Sequence, residues 1–281
     1  MESATAKTPG GGWTGAQYSL LRIATAFASL YWALSHADFG QPLIVAAASI
    51  AMALGWFTRC NALVVLFFTS PVLGAALPLF LLAPEGPYGS VRDTGVPWWM
   101  SAKALWISRI CTLALLAYAW PTNYWPLAIF PALTLLSPSW IPGRHPAVTE
   151  RLYYDGHCGL CHNFIRFLLS EDPHGTRFRF APLDSDSFRS NVPESTRATL
   201  PDSVVIWTAQ QQALTKSEAV LHVFHRLGGY WRIAAWIATP IPGPIRNAVY
   251  DFMARVRYRL FARPEAVCPL MPKELRHRFE V

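Results

Sequence analysis

Charge is scarce in this chain. Only 15% of its 281 residues are Asp, Glu, Lys or Arg, against about a quarter in an ordinary soluble domain. The scarcity is uneven: residues 1–149 hold seven Lys plus Arg and four Asp plus Glu, leaving 17 and 13 of the totals of 24 and 17 for residues 150–281. A cleavable leader is also lacking, since residues 1–15 are polar and glycine-rich with Lys7 as the one base, and the first apolar run leads into more apolar runs rather than an Ala-x-Ala site. No internal repeat aligns. Cysteine is limited to five residues, and three of them stand apart. Cys60 and Cys111 have no close partner, and Cys268 has no Cys or His two to four positions away. A self-contained relay carrying electrons from a quinone to thiols would be expected to show paired cysteines of its own in the first half, so that function is not expected, and Cys60 and Cys111 read as small apolar packing residues.

Long apolar runs take the place of charge. They occupy residues 23–37, 42–58, 62–83, 98–120 and 124–141, and the last is broken by Pro126, Pro131 and Pro138. Uncharged runs near 20 residues are the signature of membrane spans, and several in succession leave too little polar surface for a soluble fold. The expected fold class is an N-terminal all-α transmembrane helical bundle followed by a C-terminal α/β thioredoxin-like domain. The expected layout is a flexible N-terminal tail over 1–17, a transmembrane domain over 18–145 with four spans and a doubtful fifth, and a redox domain over 150–281. Lys7 and Arg59 mark the cytoplasmic side, so four spans return the chain there, where Arg144 and Arg151 open the basic half. The reading is thus an integral multi-pass protein of bacterial inner-membrane type with a cytoplasmic redox domain. Arg22 and Lys103 lie near span ends and read as snorkelling, while Arg109 lies deeper and reads as functional or helix-pairing.

Chemistry is concentrated at residues 153–162, YYDGHCGLCH. A β-type run ends in an Asp-Gly turn and hands over to an amphipathic run holding two cysteines in a Cys-x-x-Cys spacing. At such a junction Cys158 sits at a helix N-terminus, where unpaired N–H groups and the macrodipole favour thiolate over thiol. Cys161 follows one turn later on the same face, close enough to close a disulfide. Cys158 would attack and Cys161 would resolve. Asp155 would assist proton transfer or cap the turn, and His157, when protonated, would favour the Cys158 thiolate.

These residues resemble the DCC family of thiol-disulfide oxidoreductases, named for an Asp and two Cys. Asp155, Cys158 and Cys161 match its motif, and the likeness continues through 177–184 (RFRFAPLD), 201–207 (PDSVVIW), 217–219 (SEA) and 250–263 (YDFMARVRYRLFAR). The resemblance implies a thioredoxin-like fold and disulfide exchange and names no substrate; the expected activity is that of a protein-disulfide reductase with no cofactor beyond a redox-active Cys158–Cys161 disulfide, acting on a disulfide-bearing or dithiol protein or small molecule. The first half more faintly resembles the small DoxX-type and vitamin-K-carboxylase-related bundles, at Leu20-Leu21-Arg22 and at residues 55–59 (GWFTR). Three alternatives stay open for the cysteines. Cys158, Cys161 and His162 also spell a c-type haem attachment motif; His157, Cys158, Cys161 and His162 crowd too closely for an ordinary structural zinc site; and a plain pair of buried small hydrophobes sits poorly with the Asp-Gly turn and flanking histidines, which mark a polar surface. A rival from another class is a non-catalytic membrane protein that uses the thioredoxin-like module to bind partners.

Local patterning fills in the second half. A strand over 151–154 feeds a helix over 158–170, Phe178 and Phe180 alternate with arginines as a half-buried strand, 203–207 suits a central strand, and 213–215 a hairpin partner. Ser217 is placed to cap a helix over 219–227 that ends at Gly228-Gly229. Pro201, just ahead of a strand, is a candidate for the cis-proline that thioredoxin-like sites hold against the dithiol, or else a plain turn residue. Residues 245–263 carry Arg246, Arg255, Arg257, Arg259 and Arg263 among aromatics. This C-terminal basic amphipathic helix reads as lying on anionic headgroups of the lipid bilayer, or as a helix docked over the domain's own core. Nucleic acid is not an expected partner, because no reader motif accompanies the basic patch.

Overall fold

The structure is a computed structural model that describes residues 15–35, 42–69, 71–82, 102–119, 128–144, 148–172, 174–260 and 273–280. The chain divides into two compact units, Lys7–Trp140 and, apart from the first six residues, Ile141–Val281.

The first unit is helical. Helices α1 (Gly15–Ser35), α2 (Pro42–Ala53), α3 (Thr58–Phe68), α4 (Pro71–Gly74), α5 (Leu77–Leu82), α6 (Ala102–Ala119) and α7 (Ile129–Leu135) precede a 3₁₀ turn at Pro138–Trp140. No helix among the described residues is long and apolar enough to cross a membrane. This overturns the transmembrane bundle, and with it the multi-pass inner-membrane placement and the charge argument that put the second half in the cytoplasm. The reason lies in how the apolar runs are cut. The run 62–83 is divided among α3, α4 and α5, and α2, at 12 residues, is ~18 Å long against a hydrocarbon core of about 30 Å. Helix α1 has 21 residues, yet Gln17, Ser19, Arg22, Thr25 and Ser29 are buried along it, as Ser108, Arg109 and Thr112 are in α6. Arg22 therefore does not snorkel; it is 1% exposed. Arg109 has its guanidinium 5.1 Å from the Trp106 ring and 5.0 Å from the Trp140 ring, joining α6 to the 3₁₀ turn as a helix-pairing residue. Apolar side chains such as Phe27, Leu43, Phe67 and Ile110 remain exposed on α1, α2, α3 and α6, which is why hydropathy alone reads these segments as spans. The expected tail over 1–17 lies outside the described residues except for Gly15, Ala16 and Gln17, which open α1. Lys7, the Lys103 side chain, Pro126, Arg263 and Cys268 lie outside them as well.

The second unit is built around a four-stranded mixed sheet. Strand β1 (Glu150–Tyr154) leads through α8 (Gly159–Glu171) to β2 (Phe178–Pro182); α9 (Asp186–Asn191) and α10 (Glu194–Arg197) precede β3 (Val205–Trp207) and β4 (Ala213–Thr215); α11 (Lys216–Leu227), α12 (Gly229–Ala238) and α13 (Gly243–Leu260) follow. Strand order is β2-β1-β3-β4, with β1 parallel to β2, antiparallel to β3, and β3 antiparallel to β4. A parallel strand–helix–strand unit followed by an antiparallel hairpin and a helix fits a thioredoxin-like domain.

Period-two alternation decides which face each strand residue serves. Leu152 and Tyr154 of β1, Phe178 and Phe180 of β2, and Ile206 of β3 point to one face, where they pack with Ile165 and Leu168 of α8 and Ala219, Val223 and Leu227 of α11. Tyr153, Ala181 and Val205 point to the other, against Phe188 of α9. Glycine is required where the loop before β1 meets the end of α11. Gly228 has φ +78°, and a Cβ there would lie 2.5 Å from the Gly143 nitrogen. In the same crossing the Gly229 N–H donates to the Ile141 carbonyl at 2.7 Å.

Candidate functional site

Strand β1 stops at Tyr154 because Asp155 captures the next amides. Its Oδ1 accepts the His157 N–H at 2.8 Å, and its carbonyl accepts the Cys158 N–H at 3.3 Å. This Asx-type turn redirects the chain into α8, so of the two roles expected for Asp155 the geometry displays the cap. The turn delivers Cys158 to the N-cap position in an extended conformation, φ −103° and ψ 115°. There Cys158 Sγ accepts the Cys161 N–H at 3.3 Å, standing where a Ser or Asp oxygen ordinarily caps a helix. A negative sulfur at this point gains from the unpaired N–H groups and the helix dipole.

Both cysteines are free, and they differ in environment. Cys158 is 0% exposed. Cys161 is half-buried and lines a cavity on the α8 side of the sheet. Its thiol is pushed far above the ordinary range, chiefly by burial, then by the hydrogen bond and charge of Cys158; Asp155 adds to the rise and Arg257 opposes it. Near neutral pH the pair therefore holds at most one negative charge, and Cys161 keeps its proton.

Arg257, counted at first among the headgroup-binding arginines, belongs to this site. Its side chain is 4% exposed, and Nη2 lies 3.0 Å from Asp202 Oδ2 and 3.4 Å from Asp155 Oδ2. One guanidinium thereby ties α13 to the turn before α8 and to the loop before β3. The Tyr250 hydroxyl on the same helix accepts the Val204 N–H at 3.0 Å. Burial raises the Tyr250 phenol, against the lowering effect of the Val204 hydrogen bond. Tyr250, Ala254 and Arg257 share the cavity wall, a spacing of i, i+4 and i+7 that marks one helix face; helical phase is the sequence signal that separates Arg257 from Arg255, which is exposed. With its inner face packed on α8 and α11, α13 acts as a helix covering the domain's core.

The remaining expected site residues fall as follows. His157 is exposed and enters the turn through its backbone. His162 packs against Tyr154, ring centroids 5.9 Å apart, and its Nε2 lies 2.9 Å from the Gly156 carbonyl. Pro201 is exposed, and no peptide bond among the described residues is cis, so it is a turn proline. Ser217 does not cap α11, which begins at Lys216 after Thr215; instead its hydroxyl donates to Asn247 Oδ1 of α13 at 2.5 Å. No group of three or more His, Cys, Asp and Glu placed to hold a metal occurs among the described residues.

Residues 152–263 match the model of the DCC1-like thiol-disulfide oxidoreductase family. The uncharacterized protein YuxK of Bacillus subtilis is 32% identical over 128 residues, which are 46% of this chain and 91% of that protein. The chain belongs to the DCC1-like thiol-disulfide oxidoreductase family. A chloroplastic DCC family protein of Arabidopsis thaliana is 27% identical over 115 residues, 41% of this chain and 66% of its relative. No solved structure matches. A general role in thiol-disulfide exchange follows from the DCC1-like family. Its match leaves residues 1–151 outside, and the expected kinship of that half with small membrane bundles gains no support.

Proposed function

We propose that Cys158 and Cys161 are the working dithiol of this DCC1-like protein and that it reduces disulfides, including those of proteins. The observation that carries the reading is the Cys161 N–H donated to Cys158 Sγ at 3.3 Å, which gives one sulfur a charge-stabilising cap and sets the second within a turn of it. Cys158, as thiolate, attacks one sulfur of the substrate disulfide; the substrate S–S bond breaks and its other half leaves as a thiolate. Cys161 then loses its proton to that leaving group and attacks Cys158 Sγ. A Cys158–Cys161 disulfide forms, and the second half of the substrate departs reduced. Two electrons pass from the dithiol to the substrate; Cys161 supplies one proton, and the second comes from solvent, which took up the Cys158 proton when that thiol ionised. Cys158 is fully buried, so its attack on a bulky disulfide requires a local opening of the chain around it.

Single substitutions test the assignment. Cys161→Ser retains the attacking sulfur and lacks the resolving one, so it accumulates mixed disulfides with substrate on non-reducing gels, whereas Cys158→Ser traps little. If both variants reduce a model disulfide as well as the parent does, the dithiol is not the working centre; if Cys158→Ser is the better trap, the two roles are exchanged.

A further inference from the structure

The dithiol borders a cavity through Cys161. Helices α8, α11, α12 and α13 line a solvent-open cavity of about 600 Å³, within the range of small-molecule sites. Leu160 and Phe164, Val220 and Phe224, and Val249 and Met253 supply apolar walls from three of these helices. Cys161 faces this space and Cys158 is not among its lining residues. Two cations also line it. Arg257 is already matched by Asp155 and Asp202. Arg246 forms no ion pair among the described residues, and its buried Nε has no hydrogen-bond partner. A space walled mainly by apolar side chains, with a sulfur in its wall and the guanidinium of Arg246 free of an ion pair among the described residues, is complementary to a ligand with a sulfur group, an apolar chain and an anion.

We propose that this cavity binds a small organic dithiol carrying an apolar chain and a carboxylate, and that electrons enter the oxidised Cys158–Cys161 pair from it. The proposal rests on the dithiol assignment above. One donor thiolate attacks Cys161 Sγ, the sulfur that faces the cavity, and the Cys158–Cys161 bond breaks with Cys158 leaving as a thiolate onto the Cys161 N–H. The donor's second thiolate attacks its own first sulfur, releasing Cys161, which takes up a proton. The donor leaves as a cyclic disulfide, having given two electrons. Attack at Cys161 is the productive direction because the better leaving sulfur is the one capped by the helix N-terminus.

The full-length chain with its dithiol oxidised is mixed with dihydrolipoate, with its neutral amide, or with dithiothreitol, and thiol recovery is followed by quenched alkylation and mass spectrometry. Octanoate serves as a redox-inert probe in calorimetry. Expected are saturable reduction by dihydrolipoate, competition by octanoate, and an affinity for both acids about tenfold lower in Arg246→Gln, the loss of one charge-assisted contact, with the rates for the amide and dithiothreitol unchanged. Val249→Trp, on the exposed outer part of α13, fills the cavity without a buried clash and slows dihydrolipoate more than dithiothreitol. The cavity proposal is overturned if octanoate does not bind, or if Arg246→Gln affects acid and amide equally while dithiothreitol still opens the disulfide. If no reagent closes or reopens a Cys158–Cys161 disulfide, the dithiol assignment and the electron-entry step fall together, even where octanoate binds.

Discussion

Two cysteines three positions apart stand in different surroundings because only one of them caps the helix. The Cys161 thiol is raised by its burial first and by the Cys158 sulfur second, and the two causes separate on mutation. In Cys158→Ala the hydrogen bond and charge of the first sulfur are gone while burial remains, so Cys161 should ionise at a lower pH than in the parent and still above the ordinary thiol range. The pH dependence of alkylation rate, read by mass spectrometry, checks this; an unchanged or higher titration point would mean that Cys158 does not act on Cys161 through its charge. Arg257 is the other residue on which the site depends. Arg257→Gln leaves Asp155, mostly buried, without its cation, and should lower stability by about 1–3 kcal/mol and slow resolution of the mixed disulfide. Equal denaturation midpoints for the variant and the parent would argue against this pairing. Asp155, Cys158 and Cys161 were legible from type and spacing, since a turn residue and a Cys-x-x-Cys pair act locally. Arg257 was not, because its partners lie 102 and 55 positions away in sequence.

Among the elements, the strands follow their side chains. Alternation in β1 and β2 is readable from 151–154 and from Phe178 and Phe180 because period two is a local property. Helix α13 was harder, since its arginines are equally consistent with a headgroup face and a docked face until Tyr250 and Arg257 are seen to point inward. Tyr250→Phe removes the acceptor for the Val204 N–H and should cost about 1–3 kcal/mol. A urea midpoint within error of the parent would show that another group satisfies that N–H. Where α11 ends, Gly228 combines a positive φ with a backbone contact that no side chain can avoid. Gly228→Ala should therefore destabilise the second unit by more than the ~1 kcal/mol of a plain glycine replacement, measured by thermal unfolding; a neutral or stabilising change would show that the crossing of Gly143 and Gly228 is loose.

At the level of the whole molecule, the second unit contains its own sheet, both faces of its core and all the chemistry described above. The YuxK match covers 91% of that relative within 46% of this chain, so a protein of little more than this unit occurs by itself. A fragment of residues 141–281 should fold cooperatively and keep Cys158–Cys161 exchange, which circular dichroism and a disulfide-reduction assay would test; an unfolded fragment would make the first unit part of the folding unit. Its stability should depend on acid. Burial alone would raise Glu150, but the His222 hydrogen bond with the charges of His222 and Arg226 more than reverses this, so its carboxyl is held low. Glu280, hydrogen-bonded to Ser187 and Arg151, is held low likewise despite its burial. Folded carboxyls below their unfolded values contribute stability at neutral pH that is lost as pH falls through the acid range. The urea midpoint should therefore drop steadily once the pH falls below the ordinary carboxylate range, and a flat profile there would contradict these pairings.

The sequence by itself determined what rests on neighbours along the chain: the Asp-Gly turn, the cysteine at the mouth of a helix, the alternation of β1 and β2, and the family that these motifs indicate. Tertiary structure decided what rests on contacts remote in sequence. It cut the apolar runs of the first half into helices too short or too polar to cross a membrane, with Arg22 and Arg109 buried among them. It turned Arg257 inward to join Asp155 and Asp202, and it left Cys161, not Cys158, facing a cavity. Hydropathy counts how apolar a segment is; where each helix ends, and which of its faces meets another element, depends on partners that no window of sequence contains.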